Sequence, residues 1–314
     1  IRNDWNSTLT YPDGHGTYSY FYPSVGVSWV FSELLAKNSS FNFLSLGKLR
    51  ASLGYTGSGT SAYTTSSGNY ALLGNFVDYD GTIRPRYGLA SPDLENKNLK
   101  PERTREYELG ADLRFFNNRL RLDVATYKKN TTNQIIFLSA PLQTGIATRL
   151  INAGDVQNTG IEVYLSGTPI QKQDFSWTTS FNYSRNRNKI ISLYPGVTRK
   201  VLDYGEDIQS VALVGGDFGT IVTNYAFTKD EKTGKNLLKS DGTFYRSSDY
   251  GTGEKVLGTM LEKFLLSNIN ELYYKNFSLF TQVDAKIGGL ISSATHAYGS
   301  QYGAFQSTLF GRDK

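Results

Sequence analysis

From Tyr107 to Phe115 the chain keeps a period of two. Tyr107, Leu109, Ala111, Leu113 and Phe115 share one face; Glu106, Glu108, Gly110, Asp112 and Arg114 share the other. An extended strand separates residues in this way, whereas helical side chains recur about every 3.6 residues. After Asn117-Asn118 the alternation resumes, with Leu120, Leu122 and Val124 against Arg119, Arg121 and Asp123. Asn tolerates the positive φ that a tight hairpin turn needs, so Asn98–Ile136 reads as one long hairpin. Its apolar face ends in aromatics and its other face is dense in charge. The first face suits lipid and the second a wide, wet interior.

The same periodicity predicts about nine strands along the chain. Ile1–Ser7 ends one strand. Tyr20–Phe31 places Phe21, Val25, Val27, Trp29 and Phe31 on one parity. Pro23 is expected near that strand's end, because it cannot donate to a ladder. Leu46–Tyr55 sets Leu49, Ala51, Leu53 and Tyr55 against Lys48 and Arg50, and Ile161, Val163 and Leu165 alternate with Glu162, Tyr164 and Ser166. Phe175–Ser184, a weakly alternating Leu261–Leu272 and Phe277–Ile287 complete the set. One helical turn is expected at Glu33–Ala36 and a small hairpin around Glu231–Lys235.

The connections alternate in length. Those at 32–44, 116–119, 168–174 and 273–276 are short; those at 8–19, 56–103, 137–158 and 187–259 are longer. Transmembrane β-barrels have short periplasmic turns and long extracellular loops, and loops of this length argue against a compact soluble domain. Phe31, Phe115, Phe175 and Phe277 lie beside short turns, and Phe21, Tyr107 and Tyr183 lie at the far strand ends. These form two prospective girdles about 9–11 residues apart, as tilted membrane strands require.

The inward parity collects Lys48, Arg50, Glu106, Glu108, Asp112, Arg114, Arg119, Arg121, Glu162, Asp284 and Lys286. A barrel of about eight strands is filled by its own side chains, and so many charges would be costly in so narrow a core. The expected fold class is therefore all-β: a transmembrane antiparallel β-barrel, wider than the strands of this chain could close. The sequence opens in mid-pattern at Ile1 and ends on LFGRDK, so an internal piece of a longer protein is expected. No run approaches the roughly 18 apolar residues of a membrane helix, which leaves a barrel untouched. The absence of Cys excludes disulfide and thiolate chemistry within the chain. A net charge of +5 is dispersed rather than clustered, so no nucleic-acid partner is expected.

No catalytic motif stands out. His15 and His296 fall in expected loops, and there is no HExxH, GxSxG, Walker loop or Cys pair. Glu106 and Glu108 lie about 6.5–7 Å apart along one strand face. A glycosidase pair could use that spacing, but a charged lumen wall accounts for it. Oxygen-rich turns at Asp241-Gly242 and Asp249–Glu254 miss EF-hand spacing, so neither a metal nor another cofactor is expected. Binding is the open question. Tyr63, Tyr70, Tyr79, Arg84, Arg86 and Tyr87 in the 56–103 loop, with Tyr298 and Tyr302 near the C-terminus, are the candidate substrate-binding residues. Aromatic faces stack on sugars or peptide side chains, and Arg supplies directional hydrogen bonds. Loop self-packing, or packing against a lid partner, would use the same residues.

Several stretches in fixed order resemble the SusC/RagA family of TonB-dependent outer-membrane transporters of Bacteroidetes. They are RNDWNSTL, YSYFYPSVGVSWVFSE, LGKLRASLGYTGSG, NLKPERTREYELGADLRFFNNRLRLDVATYKKNTTNQI, INAGDVQNTGIEVYLSGTPI and YYKNFSLFTQVDAKIGG. The resemblance runs from residue 1 to about 305. It implies a barrel of about 22 strands with a plug domain, a SusD-like surface lipoprotein as lid, and the TonB–ExbB–ExbD complex as energy source. It further implies outer-membrane lipid around the wall and import of an oligosaccharide or oligopeptide. The plug, TonB box and terminal strands would lie outside residues 1–314. A passive wide porin and a soluble all-β glycan-binding or hydrolytic module are the alternative readings.

Overall fold

The computed structural model describes residues 1–5, 7–10, 14, 16, 19–35, 41–61, 70–89, 93–94, 96, 98–139, 148–205, 207–249 and 253–309. In chain order the first strands are β1 (Arg2–Trp5), β2 (Ser19–Tyr22), β3 (Ser24–Val30), β4 (Leu44–Ser58), β5 (Tyr70–Val77), β6 (Ile83–Leu89) and β7 (Asp93–Leu94). Next come β8 (Glu102–Phe115), β9 (Leu120–Thr132), β10 (Ile135–Ser139), β11 (Thr148–Asn152), β12 (Asp155–Gln171) and β13 (Phe175–Ser192). The last are β14 (Arg199–Tyr204), β15 (Gln209–Leu213), β16 (Phe218–Thr223), β17 (Lys255–Thr259), β18 (Phe264–Tyr274) and β19 (Phe277–Ile287). Helix α1 (Ser32–Leu35) is the expected single turn, and α2 (Ala294–Gln301) follows β19.

The main sheet is an antiparallel meander in the order β3-β4-β8-β9-β12-β13-β18-β19, and β1 pairs with β2 beyond it. The sheet is open, since β3 and β19 do not pair. The wall strands are those the alternation predicts, but several reach further. β4 runs to Ser58, β12 spans Asp155–Gln171 and β13 runs to Ser192. Pro23 lies between β2 and β3, at a strand end as expected. Its carbonyl accepts from the Tyr55 amide (3.0 Å), but it has no N–H to return, so the pair is half made and the strand is interrupted there.

Register fixes the two faces. Leu109, Thr126 and Ile161 align across β8, β9 and β12, as do Asp112, Asp123 and Tyr164. On the outward parity Val27, Leu109, Phe181 and Val283 are exposed apolar side chains. Aromatics gather at its lower rim, where Phe43 stacks on Phe115 (6.1 Å) and Trp29 packs beside Phe31 (6.0 Å). Tyr183 meets Phe264 at the upper rim (5.8 Å).

The β8–β9 turn spans Phe116–Arg119, and Phe116, Asn117 and Asn118 have φ of 55°, 55° and 66°. Asn visits this left-handed region at low cost. Arg119 is therefore a turn residue and not part of the lumen wall, contrary to its sequence parity. Its guanidinium donates to the Thr168 and Pro169 carbonyls (3.0 and 2.9 Å), joining two neighbouring short turns. The weak alternation of β18 also has a cause. By register Asn268 and Asn270 face outward, opposite Phe181 and Thr179. Asn270 donates to Asn268 (2.7 Å) and accepts from the Trp177 indole (3.1 Å), while Asn268 donates to Thr179 and the Ser180 carbonyl. These bonds satisfy amides that would otherwise be costly against lipid.

The long connections carry structure of their own. β14–β17 form a four-stranded sheet, β10, β11 and β7 a three-stranded one, and β5–β6 a separate hairpin. Two small cores sit at this end: Leu9, Tyr20, Leu99 and Leu150; and Val156, Ile190 and Ala212. The hairpin around 231–235 forms through the Lys229–Asn236 bridge. Its return leg folds again at Leu238–Phe244, and Phe227 pairs with Arg246.

Candidate functional site

The inner wall is a checkerboard of charge. Arg50 lies across from Gly110, and a side chain at Gly110 would collide with its guanidinium. The bare glycine lets Arg50 lie flat along the sheet. It donates to both Asp123 oxygens (2.9 and 3.3 Å) and to Glu108 (3.4 Å). Asp112 and Asp123 face each other directly, and Arg121 stands 3.5 Å from a carboxylate oxygen of each. Arg114 adds a second contact to Asp112 (3.3 Å). Arg121 also stacks over Tyr164, 5.6 Å from the ring centroid.

Above this network lies a shallow basin of about 360 Å³, lined by residues including Glu106, Glu108, Tyr127, Lys129, Asn158 and Glu162. Its floor depends on Gly160, whose missing Cβ leaves room for the Tyr127 ring, an aromatic lying over a cross-strand glycine. The Tyr127 hydroxyl donates to Asn186 (3.4 Å). Asn186 and Asn188 both donate to Asn158 (3.0 Å each), and Asn188 accepts from the Phe218 amide (2.8 Å). The amide ladder thus ties the β14–β17 sheet to the wall. Carboxylates, cations, amides and a phenol line the basin within reach of one another. Such a surface can hold a hydrated polar oligomer by many weak contacts. Sequence parity placed Arg50, Glu106, Glu108 and Glu162 on the inward wall but did not single out Tyr127 or the Asn ladder. Gly110 and Gly160, each on an inward position between large neighbours, were the available signal.

At the upper end of the wall, the NLKPE and INAG stretches meet. Asn152 accepts from the Lys100 amide and donates to the Lys100 and Asn133 carbonyls (2.7, 2.7 and 2.9 Å). The Glu102 carboxylate accepts from the Ile135 amide (2.8 Å).

The candidate ligand residues lie in two places. Tyr63 is outside the described residues. Tyr70 opens β5, with its backbone paired to Leu89. Tyr79, at the hairpin tip, is 98% exposed, and Tyr87 is also exposed. Arg84 is committed within the hairpin, to Asp78 (2.6 Å) and Asp80 (3.3 Å). Arg86 sits across from Gly74 and faces solvent. Tyr298 and Tyr302 stack on each other at α2 (6.3 Å, 14°). Among the described residues the hairpin and α2 share no hydrogen bond, ion pair or ring contact, so the structure does not bring these two groups together. His296 lies on α2 and not in a loop, with its ring against Phe305 (5.1 Å); His15 is outside the described residues.

The oxygen-rich turns are occupied internally. Asp241 accepts from the Thr243 amide and hydroxyl (2.9 and 2.7 Å). Asp249 pairs with Lys239 (2.8 Å), and Glu254 with Arg199 (2.6 Å). Among the described residues no three His, Cys, Asp or Glu side chains gather as a metal site.

The family model described as TonB dependent receptor-like, beta-barrel matches residues 1–288. TonB-dependent receptor P3 of Formosa agariphila is 30% identical over 300 residues, covering 88% of this chain and 29% of that protein. TonB-dependent receptor SusC of Bacteroides thetaiotaomicron is 28% identical over 204 residues, covering 62% of this chain and 19% of SusC. The solved structure of the RagAB peptide transporter superposes with a TM-score of 0.70 at 23% identity, over 90% of this chain and 30% of that one. The chain spans less than a third of the length of these relatives.

Proposed function

The chain belongs to the TonB-dependent receptor β-barrel family and lies in the outer membrane, and from that premise we propose that it is part of the barrel of a SusC/RagA-type importer of nutrient oligomers. Substrate enters from the side of the long connections, under a SusD-like lipoprotein lid. It passes the basin of Glu106, Glu108, Tyr127, Lys129 and Glu162, and moves inward when the TonB–ExbB–ExbD complex displaces a plug domain. The wall performs no covalent chemistry; it supplies a hydrated, charge-balanced surface. The observation that carries this reading is the contrast between faces: paired charges on one parity, exposed apolar side chains on the other.

The basin's mix of carboxylates, cations and amides suits a glycan or a peptide, and uptake decides between them. Cells carrying the full-length gene as their one importer of this type are offered labelled oligosaccharide or oligopeptide, with TonB intact or deleted. Uptake of one class, abolished without TonB, is the expected result. Uptake that persists without TonB would replace this reading by the passive porin. Glycan turnover by the purified protein would favour a hydrolytic module.

A further inference from the structure

We propose that the outer wall carries a site for the phosphate-bearing headgroups of outer-leaflet lipid, formed by Arg103, Arg105, Lys128, Arg185, Arg187 and Lys189. The register places all six on the lipid-facing parity. Tyr107, Lys128, Thr159 and Arg187 form one row across β8, β9, β12 and β13; Arg105, Asn130, Gln157 and Lys189 form the next; Leu109, Thr126, Ile161 and Arg185 lie one row below. Arg103 lies two residues beyond Arg105 on the same side of β8.

Sign separates the two faces of these strands. The inward parity holds Glu102, Glu106, Glu108, Asp112, Asp123 and Glu162 among its cations, whereas the outward parity holds Asp155, which accepts from Asn130 (3.1 Å). Among the described residues none of the six outward cations makes an ion pair, while inward Arg50 and Arg121 each contact two carboxylates. A rim exposed only to water has no reason to exclude carboxylates. A rim facing anionic headgroups does, because like charge there repels the lipid.

On β8 height agrees with sign. Arg105 and Arg103 are ten and twelve residues from Phe115 at the lower rim. At roughly 3.3 Å per residue and a tilt of about 40°, they stand about 25–30 Å above it, at the top of an apolar band about 25 Å tall. Arg105 rests over the Tyr107 ring (5.3 Å) and Arg103 over Tyr55 (4.7 Å), as amphipathic side chains do at a membrane boundary. Arg185, Arg187 and Lys189 line an open cleft with Lys263, with Gln157 and Thr159 beside them and Asp217 and Glu262 also on its walls. Guanidinium forks suit phosphate oxygens bidentately.

The site rests on the outer-membrane reading, and the two can fail separately. The test places the full-length protein in phosphatidylcholine nanodiscs and measures how spin-labelled diphosphorylated lipid A partitions to its wall. Enrichment over phosphatidylcholine is expected. R103Q/R105Q/K128Q and R185Q/R187Q/K189Q should each lower it about 100-fold, from roughly fivefold per cation. The charge-matched control K229Q/K232Q/K235Q, in an exposed turn region, should leave it unchanged. If a triple variant does not insert, R105Q and R187Q carry the test, each with about a fivefold loss. Undiminished enrichment in the wall variants overturns the site. So does equal loss in the control, equal enrichment of dephosphorylated lipid A, or displacement by inorganic phosphate. If the wild-type protein enters no bilayer, the outer-membrane reading itself fails.

Discussion

Asp112 and Asp123 stand opposite one another on adjacent strands, a pairing that repulsion disfavours. It persists because Arg50, Arg114 and Arg121 lie between and around them. Removing one cation leaves half-buried carboxylates underpaired, so Arg50→Gln should lower stability by about 1–2 kcal/mol in urea unfolding of the refolded full-length protein. Adding Asp123→Asn should cost less than the sum of the two single changes; strict additivity would contradict the network. Gly160→Val should displace Tyr127 and cost about 1–3 kcal/mol, since the ring occupies the space of the missing side chain. The loss of Tyr127 contact would register as a changed tyrosine environment in near-ultraviolet dichroism. Parity alone told which of these charges faced inward. It could not tell which touched, because contact depends on register across three strands. It also misplaced Arg119, because the turn takes up all of 116–119 and carries that side chain out of the strand.

The β8–β9 hairpin is an element whose sequence and structure agree closely, from its alternation to its Asn turn. Asn118 sits at φ 66°, so Asn118→Val should destabilise the hairpin by about 1–2 kcal/mol, whereas Asn118→Gly should be tolerated. Comparing refolding yields of the two variants separates turn geometry from loss of the amide. The β5–β6 hairpin offers a pH test. Hydrogen bonds from the Thr82 amide and hydroxyl, with a further one from Arg84, hold the Asp80 carboxyl below its ordinary value of 3.8. A depressed carboxylate contributes stability above its unfolded value and loses it as pH falls through the folded one. Hydrogen exchange at the Thr82 amide, corrected for intrinsic rate, should therefore stay constant from neutral pH to near 3.8 and accelerate only below it. Asp80→Asn should abolish that change. Elements beyond the wall were less legible. β14–β17 carry register shifts at Val201/Asp203, Val211/Ala212 and Ile221/Val222, which break the period of two. β18 hides its alternation because a bonded Asn pair occupies the apolar side.

At the scale of the whole molecule, the order of wall strands and the inside–outside assignment were readable because lipid and water impose opposite demands on alternate residues. The placement of loop side chains was not, since no periodic constraint acts on them. Tyr79 and Tyr87, chosen for their chemistry, lie on a hairpin that does not meet Tyr298 and Tyr302 within the described residues. A charge placed on the lipid face near mid-depth, as in Val124→Arg, should cost about 2–4 kcal/mol of unfolding free energy, while Ser166→Arg on the inner wall should cost far less. The two-faced wall itself is tested most directly by a cysteine scan of residues 103–115 and 120–132 in the full-length protein in its native membrane, after any cysteines elsewhere have been replaced. Each single cysteine is offered a membrane-impermeant thiol reagent and a lipid-soluble one. A two-faced wall predicts a period of two: on β8 the lipid-soluble reagent reaches 107, 109, 111 and 113, and the aqueous one reaches 106, 108, 110 and 112, with the parity reversed on β9. Uniform labelling of both parities by the aqueous reagent would contradict it.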